Sequence, residues 1–166
     1  MTKRTPASRP SALQAEIGQT RPFGSLGQEA VLGMIRTTDI VLRRITHLLA
    51  PYEITSQQYN VLRILRGAGE DGLPTLAIAD RMIERTPGVT RLIDRLVAKG
   101  WVIRERSTDD RRRVDCTISR TGLDLLAAID PTMNRFDEDL LGMLDDDEQA
   151  TLVALLDRVR EKLDDD

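Results

Sequence analysis

Two clusters of guanidinium groups carry the chemistry in this sequence. Arg91 and Arg95 sit four residues apart, and Arg111, Arg112 and Arg113 run consecutively after Asp110. At helical spacing the first pair shares one face. A guanidinium can donate two parallel hydrogen bonds to a phosphate or to the outer edge of a guanine. Just ahead of the pair, Thr86, Pro87, Gly88 and Thr90 are small or polar. Such residues allow close backbone approach, and a helix N-terminus adds free N–H groups and a dipole that favours an anion. Asp110 is placed to hold the Arg112 guanidinium in a fixed pose. This is the chemistry of anion recognition. No nucleophile elbow, phosphate loop or His-based triad appears, so no catalytic residue is expected.

The elements that position these groups can be read around them. Thr86 is expected to cap a helix with Pro87 in its first position. Val89, Leu92, Ile93 and Leu96 form the apolar face of that helix, and Gly100 ends it after Lys99. Pro87, Gly88, Thr90, Arg91, Asp94 and Arg95 face outward. Trp101–Arg106 and Val114–Ile118 read as two strands, and the arginine run lies in the polar loop between them. Upstream, Thr55-Ser56-Gln57-Gln58 has the form of a capping box. The helix it opens carries Tyr59, Leu62 and Leu65 as far as Gly67. Residues 67–72 read as a loop, and Pro74-Thr75 opens a short helix with Leu76, Ala77, Ala79 and Met82. Helix, short helix, helix, strand, arginine loop, strand is the order of a winged helix-turn-helix. The third helix would enter a major groove, and the tip of the two-stranded wing would reach the adjacent minor groove, whose negative potential favours an inserted arginine.

Helices flank this lobe. Residues 1–25 contain Pro6, Pro10 and Pro22 and little periodicity, which predicts a flexible N-terminal arm with at most a helical turn near Leu13 and Ile17. From Leu26 to Ala50 the apolar positions form a stripe too wide for one neighbour, and a second copy of the chain is a natural second partner. Pro51 is expected to stop that helix. Near the C-terminus, Leu126, Ile129, Met133, Phe136 and Leu140 mark a helix that Pro131 is expected to kink or split. Another helix begins at the acidic residues 145–148 and runs through Leu152, Leu155, Val159 and Leu163. The fold class is therefore mainly α: a winged helix-turn-helix lobe over residues 53–119 with a helical dimerisation region over 26–52 and 120–166.

Composition narrows the function. Aromatic residues make up only 3% of the 166 residues and charged residues 31%, which favours helices over sheet. One cysteine and one histidine give no zinc-type ligand set and no internal disulfide. No metal or cofactor is expected, and the cysteine usage fits the cytoplasm. No run of about 18 apolar residues predicts a membrane span, and no apolar stretch follows the basic N-terminus as in a secretory signal. The net charge is −3, yet it is unevenly spread. Residues 81–120 hold 11 Lys and Arg against 6 Asp and Glu, whereas residues 121–166 hold 4 against 14. One basic segment can meet phosphates while the acidic remainder keeps the chain soluble.

The sequence resembles the MarR family of bacterial regulators over about residues 26–163. Val89-Thr90-Arg91-Leu92-Ile93-Asp94-Arg95-Leu96 followed by Lys99-Gly100 is similar to the family's recognition helix. Asp110-Arg111-Arg112 fits its Asp-x-Arg wing motif, and Ile118-Ser119-Arg120-Thr121-Gly122 is close to the Leu-Thr-x-x-Gly that follows the wing. The resemblance implies a homodimer on a roughly palindromic double-stranded DNA site, commonly a repressor released by a small ligand. By position, Thr86, Thr90, Arg91 and Arg95 would face the DNA, and Arg112 would be the wing-tip arginine oriented by Asp110. Ser119 stands for the usual threonine and should cap as well. Trp101 stands where a smaller residue is common, and Asp115 places an acid beside the wing.

Bland and sharp readings stand side by side at other residues. His47 lies on a helix that borders the effector pocket in this family, so it reads either as a pH- or carboxylate-sensing group or as a surface or dimer-seam histidine. Arg43 and Tyr59 are similarly placed pocket candidates. Cys116 reads as a buried core residue. The alternative function is a winged-helix protein that acts through protein–protein contacts without binding DNA. The arginines on both helix and wing argue against it.

Overall fold

The computed structural model describes residues 11–84, 87–106 and 114–164. The chain divides into two compact units, Met1–His47 and Leu48–Asp166.

In the first unit, α1 (Ala12–Glu16) begins where the Ser11 hydroxyl accepts the Gln14 N–H at 3.2 Å. The long helix α2 (Leu26–Leu49), most of which belongs to this unit, begins in the same manner. The Ser25 hydroxyl accepts the Gln28 N–H at 3.1 Å, and the Gln28 side chain returns to accept the Gly24 N–H at 2.7 Å. These bonds satisfy amides that a helix start leaves orphaned. Arg36 on α2 pairs with Glu16 on α1 at 2.7 Å. At its far end α2 stops at Leu49, just ahead of Pro51 as expected, and the chain passes into a 3₁₀ turn, Ala50–Tyr52.

The second unit follows in the order α3 (Ser56–Ala68), β1 (Leu73–Pro74), α4 (Thr75–Arg81), α5 (Val89–Ala98), β2 (Val102–Arg106), β3 (Val114–Ile118), α6 (Arg120–Leu141) and α7 (Asp146–Asp164). The capping box at Thr55 and Gln58 forms as the sequence predicts. Leu62 and Leu65 of α3, Ile78 of α4, Ile93 and Leu96 of α5, Cys116 of β3 and Leu126 of α6 are fully buried and form one core. Cys116 is thus a core residue, as expected.

Three expectations are corrected. The sheet has three antiparallel strands in the order β1-β3-β2, not two. The added strand is two residues long and pairs Leu73 with Cys116 and Pro74 with Asp115. Proline fits there because an edge strand leaves one side free of ladder donors. Secondly, α5 begins at Val89, with Gly88 as its N-cap at φ 83° and no side-chain cap. Pro87 therefore precedes the helix instead of occupying its first position, and Thr86 lies outside the described residues. Only glycine adopts that left-handed backbone cheaply, so the chain enters the helix through Gly88. Thirdly, α6 is one helix through Pro131, so the proline does not split it. Burial of Leu126, Ile129 and Met133 on both sides of the proline outweighs one lost backbone bond.

The junction between α5 and α6 sets the lobe's geometry. Gly100, at φ 72°, follows the α5 C-cap Lys99. Its N–H donates to the Val97 carbonyl at 2.9 Å, and the Trp101 N–H donates to the Leu96 carbonyl at 3.0 Å. This double bond pattern is a Schellman ending. The freed Gly100 carbonyl then accepts from the Ser119 hydroxyl at 2.6 Å and the Thr121 hydroxyl at 2.7 Å. Ser119 also caps α6 by accepting the Gly122 N–H at 3.0 Å. A Cβ on Gly122 would stand 2.4 Å from the Trp101 carbonyl oxygen, so the helix can approach this turn only without a side chain. Gly122→Ala should therefore cost about 1–3 kcal/mol in stability. Gly67→Ala on α3, whose Cβ meets nothing within 4 Å, should be neutral or stabilising by up to about 1 kcal/mol. Urea unfolding of both variants, followed by circular dichroism, checks the contrast.

Candidate nucleic-acid interface

The interface is built on α5. Val89, Ile93 and Leu96 of this ten-residue helix are buried. Because 3.6 residues make a turn, Thr90, Arg91, Asp94 and Arg95 must then point outward, and all four are exposed. Pro87 and Gly88 are exposed as well.

Pro87, Gly88, Arg91 and Arg95 line one open cleft of about 450 Å³ together with Leu92 and with Thr55 and Gln57 from the start of α3. Neither Arg91 nor Arg95 has an ion-pair partner among the described residues. Two cations thus share a concave surface with the start of a helix that no side chain caps. That arrangement suits a phosphate chain, which needs positive charge and free N–H groups. Thr55 and Gln57 were not singled out from the sequence as site residues. The capping box marked a helix start there, but nothing local indicated that this start lies beside α5.

The neighbouring loop is held from below. Asn60 on α3 accepts the Ile83 N–H through its side-chain oxygen at 3.0 Å, and Gln57 donates to the Glu84 carboxylate at 3.3 Å. At the other end of α5, the Lys99 ammonium donates to the Glu53 carbonyl at 2.6 Å and lies 4.4 Å from the centre of the Trp101 ring. Trp101, a departure from the family pattern, thereby gains a cation–π partner. The wing strands β2 and β3 pair from Val102↔Ile118 to Arg106↔Val114. Residues 107–113 connect them, and Asp110, Arg111, Arg112 and Arg113 lie outside the described residues.

The three pocket candidates divide between the units. Arg43 is exposed on α2 and pairs with Asp39 one turn earlier. His47, the last residue of the first unit, is exposed. Tyr59, in the second unit, is buried, and the Arg63 guanidinium lies 5.7 Å from its ring centre. Burial raises the Tyr59 hydroxyl pKa above the ordinary value, Arg63 pulls it down, and Asp130 adds to the rise. Among the described residues no group of three or more His, Cys, Asp or Glu is placed to hold a metal ion. No described helix is long and apolar enough to cross a membrane.

Comparison with known proteins agrees with this geometry. The MarR family model matches residues 54–114, from just before α3 to the first residue of β3. The multiple antibiotic resistance protein MarR of Escherichia coli (strain K12) is 30% identical over 118 residues, spanning 70% of this chain and 81% of that protein. The chain belongs to the MarR family. A MarR transcription factor of Planctomyces limnophilus is 39% identical at a TM-score of 0.62, covering 82% of this chain and 98% of that one. The structure of S. aureus MepR in complex with DNA superposes at a TM-score of 0.72 with 22% identity, over 80% of this chain and 95% of that one, and shares the fold. The protein is accordingly a MarR-type transcription regulator built on a winged helix-turn-helix.

If Arg91 and Arg95 have no role in the fold of this MarR lobe, removing them should not unfold it. Arg91→Ala and Arg95→Ala should each change stability by no more than about 0.5 kcal/mol. Ile93→Ala on the opposite face should cost about 2–5 kcal/mol. Denaturant titration of the three variants tests this division of labour.

Proposed function

We propose that this MarR-family regulator acts in the cytoplasm as a homodimer. It binds a roughly palindromic double-stranded DNA site and represses a promoter until a small effector changes the spacing of its two lobes. It needs no cofactor. The observation that carries the reading is the pair of exposed guanidiniums of Arg91 and Arg95, without ion-pair partners among the described residues, in the cleft at the start of α5. In this reading α5 enters the major groove, Thr90 and Arg91 read base edges, and Arg95 and the start of α3 meet phosphates. Arg112, oriented by Asp110 and flanked by Arg111 and Arg113, reaches the minor groove from the wing.

Dimerisation is supported by apolar surface that one chain leaves exposed. On α7, Val153 is 58% exposed, Leu155 50% and Leu163 70%, and Met143 just before it is 83% exposed. A 19-residue helix with no buried residue among those described has little to hold it in isolation. On α2, Val31 and Ile35 are likewise exposed. A second copy covering these faces would supply the missing burial, and two lobes so joined would meet half-sites about one helical turn apart.

Fluorescence anisotropy against a duplex from the upstream region and against random duplex tests the reading. Binding should weaken steeply with salt. Arg95→Ala should flatten the plot of log affinity against log salt by about one, whereas Arg91→Ala should alter which sequence is preferred. Arg112→Ala should weaken binding to all sequences. Absence of binding to any duplex at low salt would overturn the DNA reading. Sedimentation equilibrium should give twice the 18.6 kDa chain mass, and Leu155→Asp should shift the population toward monomer.

A further inference from the structure

Arg104 stands at a position where a charge is unexpected. Side chains alternate across a strand, and Arg104 lies on the same face of β2 as Val102, which is buried. Directly across the ladder it pairs with Cys116, which is fully buried. Its Nε and Nη2 atoms are shut off from solvent and find no hydrogen-bond partner among the described residues, with the Cys116 thiol beside them. The remaining nitrogen, Nη1, donates to Asp94 Oδ1 at 2.8 Å. Burial works against the Arg104 charge, but the Cys116 thiol and Asp94 together more than offset it, so its pKa lies above the ordinary arginine value.

Asp94 is on the outward face of α5, between Arg91 and Arg95 in sequence, and its side chain is half-exposed. Its carboxylate is therefore held by the wing strand, and Arg91 and Arg95 have no ion-pair partner among the described residues. We propose that Arg104 is a positioning residue: its ion pair with Asp94 fixes the root of the wing against the recognition helix, and so sets the operator specificity of the lobe. It acts on DNA through Asp94 and β2, not by touching a phosphate. A half-exposed pair contributes little to global stability. Its effect is on geometry, because base readout requires helix and wing to engage adjacent grooves together.

The inference rests on the DNA-binding reading, and the test separates the two. A duplex selected in vitro from random sequence with the wild-type protein serves as the specific site, and unselected random duplex as the reference. Arg104→Met and Asp94→Ala should each lower the specific-to-random affinity ratio about tenfold, and the double variant should lose no more than either single one. Random-duplex affinity should move by less than about threefold and in opposite directions, down in Arg104→Met, which releases Asp94 beside Arg91 and Arg95, and up in Asp94→Ala, which removes that acid. Arg104→Lys, which can still donate to Asp94, should stay within about threefold of wild type. Equal losses on both duplexes with the slope reduced by about one would make Arg104 a phosphate contact and overturn the proposal. So would a harmless Asp94→Ala or additive losses. Hydrogen exchange of the free protein judges the tie without DNA. Amides of residues 102–106 should exchange faster in both single variants, and unchanged exchange would overturn the proposal even if the wild type bound no duplex.

Discussion

Ile93 and Leu96 are fully buried, and that burial fixes the rotation of α5 about its own axis. A helix of ten residues is marginal in water by itself. Its persistence here depends on packing, at about 1.5–3 kcal/mol for each large apolar side chain removed from solvent. A turn of one residue, about 100°, would expose those side chains and drive Arg91 or Arg95 toward the core. The core thus orients the outward face with no need for contacts on that face. Arg91 and Arg95 have no ion-pair partner among the described residues, and the core packing requires none.

Rotation alone does not place the helix along its axis. That is done at its end, where the Gly100 carbonyl, turned outward by the Schellman geometry, receives two hydroxyl donors from the start of α6. Ser119 serves twice, donating to that carbonyl and accepting the Gly122 amide. The glycine of the motif after the wing is therefore explained by contact with the Trp101 carbonyl, which leaves no space for a Cβ. Recognition helix, wing strands and the first turn of α6 meet at one point. These bonds tie the start of α6 to the end of α5.

Legibility of this arrangement from sequence followed the range of the interactions involved. The 3.6-residue period of Val89, Ile93 and Leu96, the capping box at Thr55, the glycine ending at Gly100 and the cap at Ser119 are local signals, and each forms in the structure. The start of α5 was misread because Thr86-Pro87-Gly88 suits either a side-chain cap with proline in first position or a left-handed entry through glycine. Backbone conformation decides between them. Two residues of β1 are too few to show alternation. Pro131 was given more weight than the buried residues around it. The cleft joins Thr55 and Gln57 to Arg91 and Arg95, a pairing of distant segments that no window of sequence contains. Arg104 was placed on a strand without a face being assigned to it, which concealed its link to Asp94. Thr86 and the wing arginines lie outside the described residues, so their contribution rests on motif and charge.

The distribution of ion pairs explains how a chain of net charge −3 can address a polyanion. Away from α5, many described arginines are occupied by a nearby carboxylate: Arg36 by Glu16, Arg43 by Asp39, Arg66 by Asp130, Arg120 by Asp124 and Arg160 by Asp157. Mostly exposed pairs of this kind add little stability, but each cancels its own field at short range. On α5 the order is inverted. The one acid among the outward residues is drawn off by Arg104, and Arg91 and Arg95 keep their full charge. At physiological ionic strength fields are screened over about 8 Å, so a phosphate approaching this face responds chiefly to the charges nearest it, the two guanidiniums among them. Net charge governs solubility and long-range approach, whereas contact is governed by which arginines the fold leaves unneutralised.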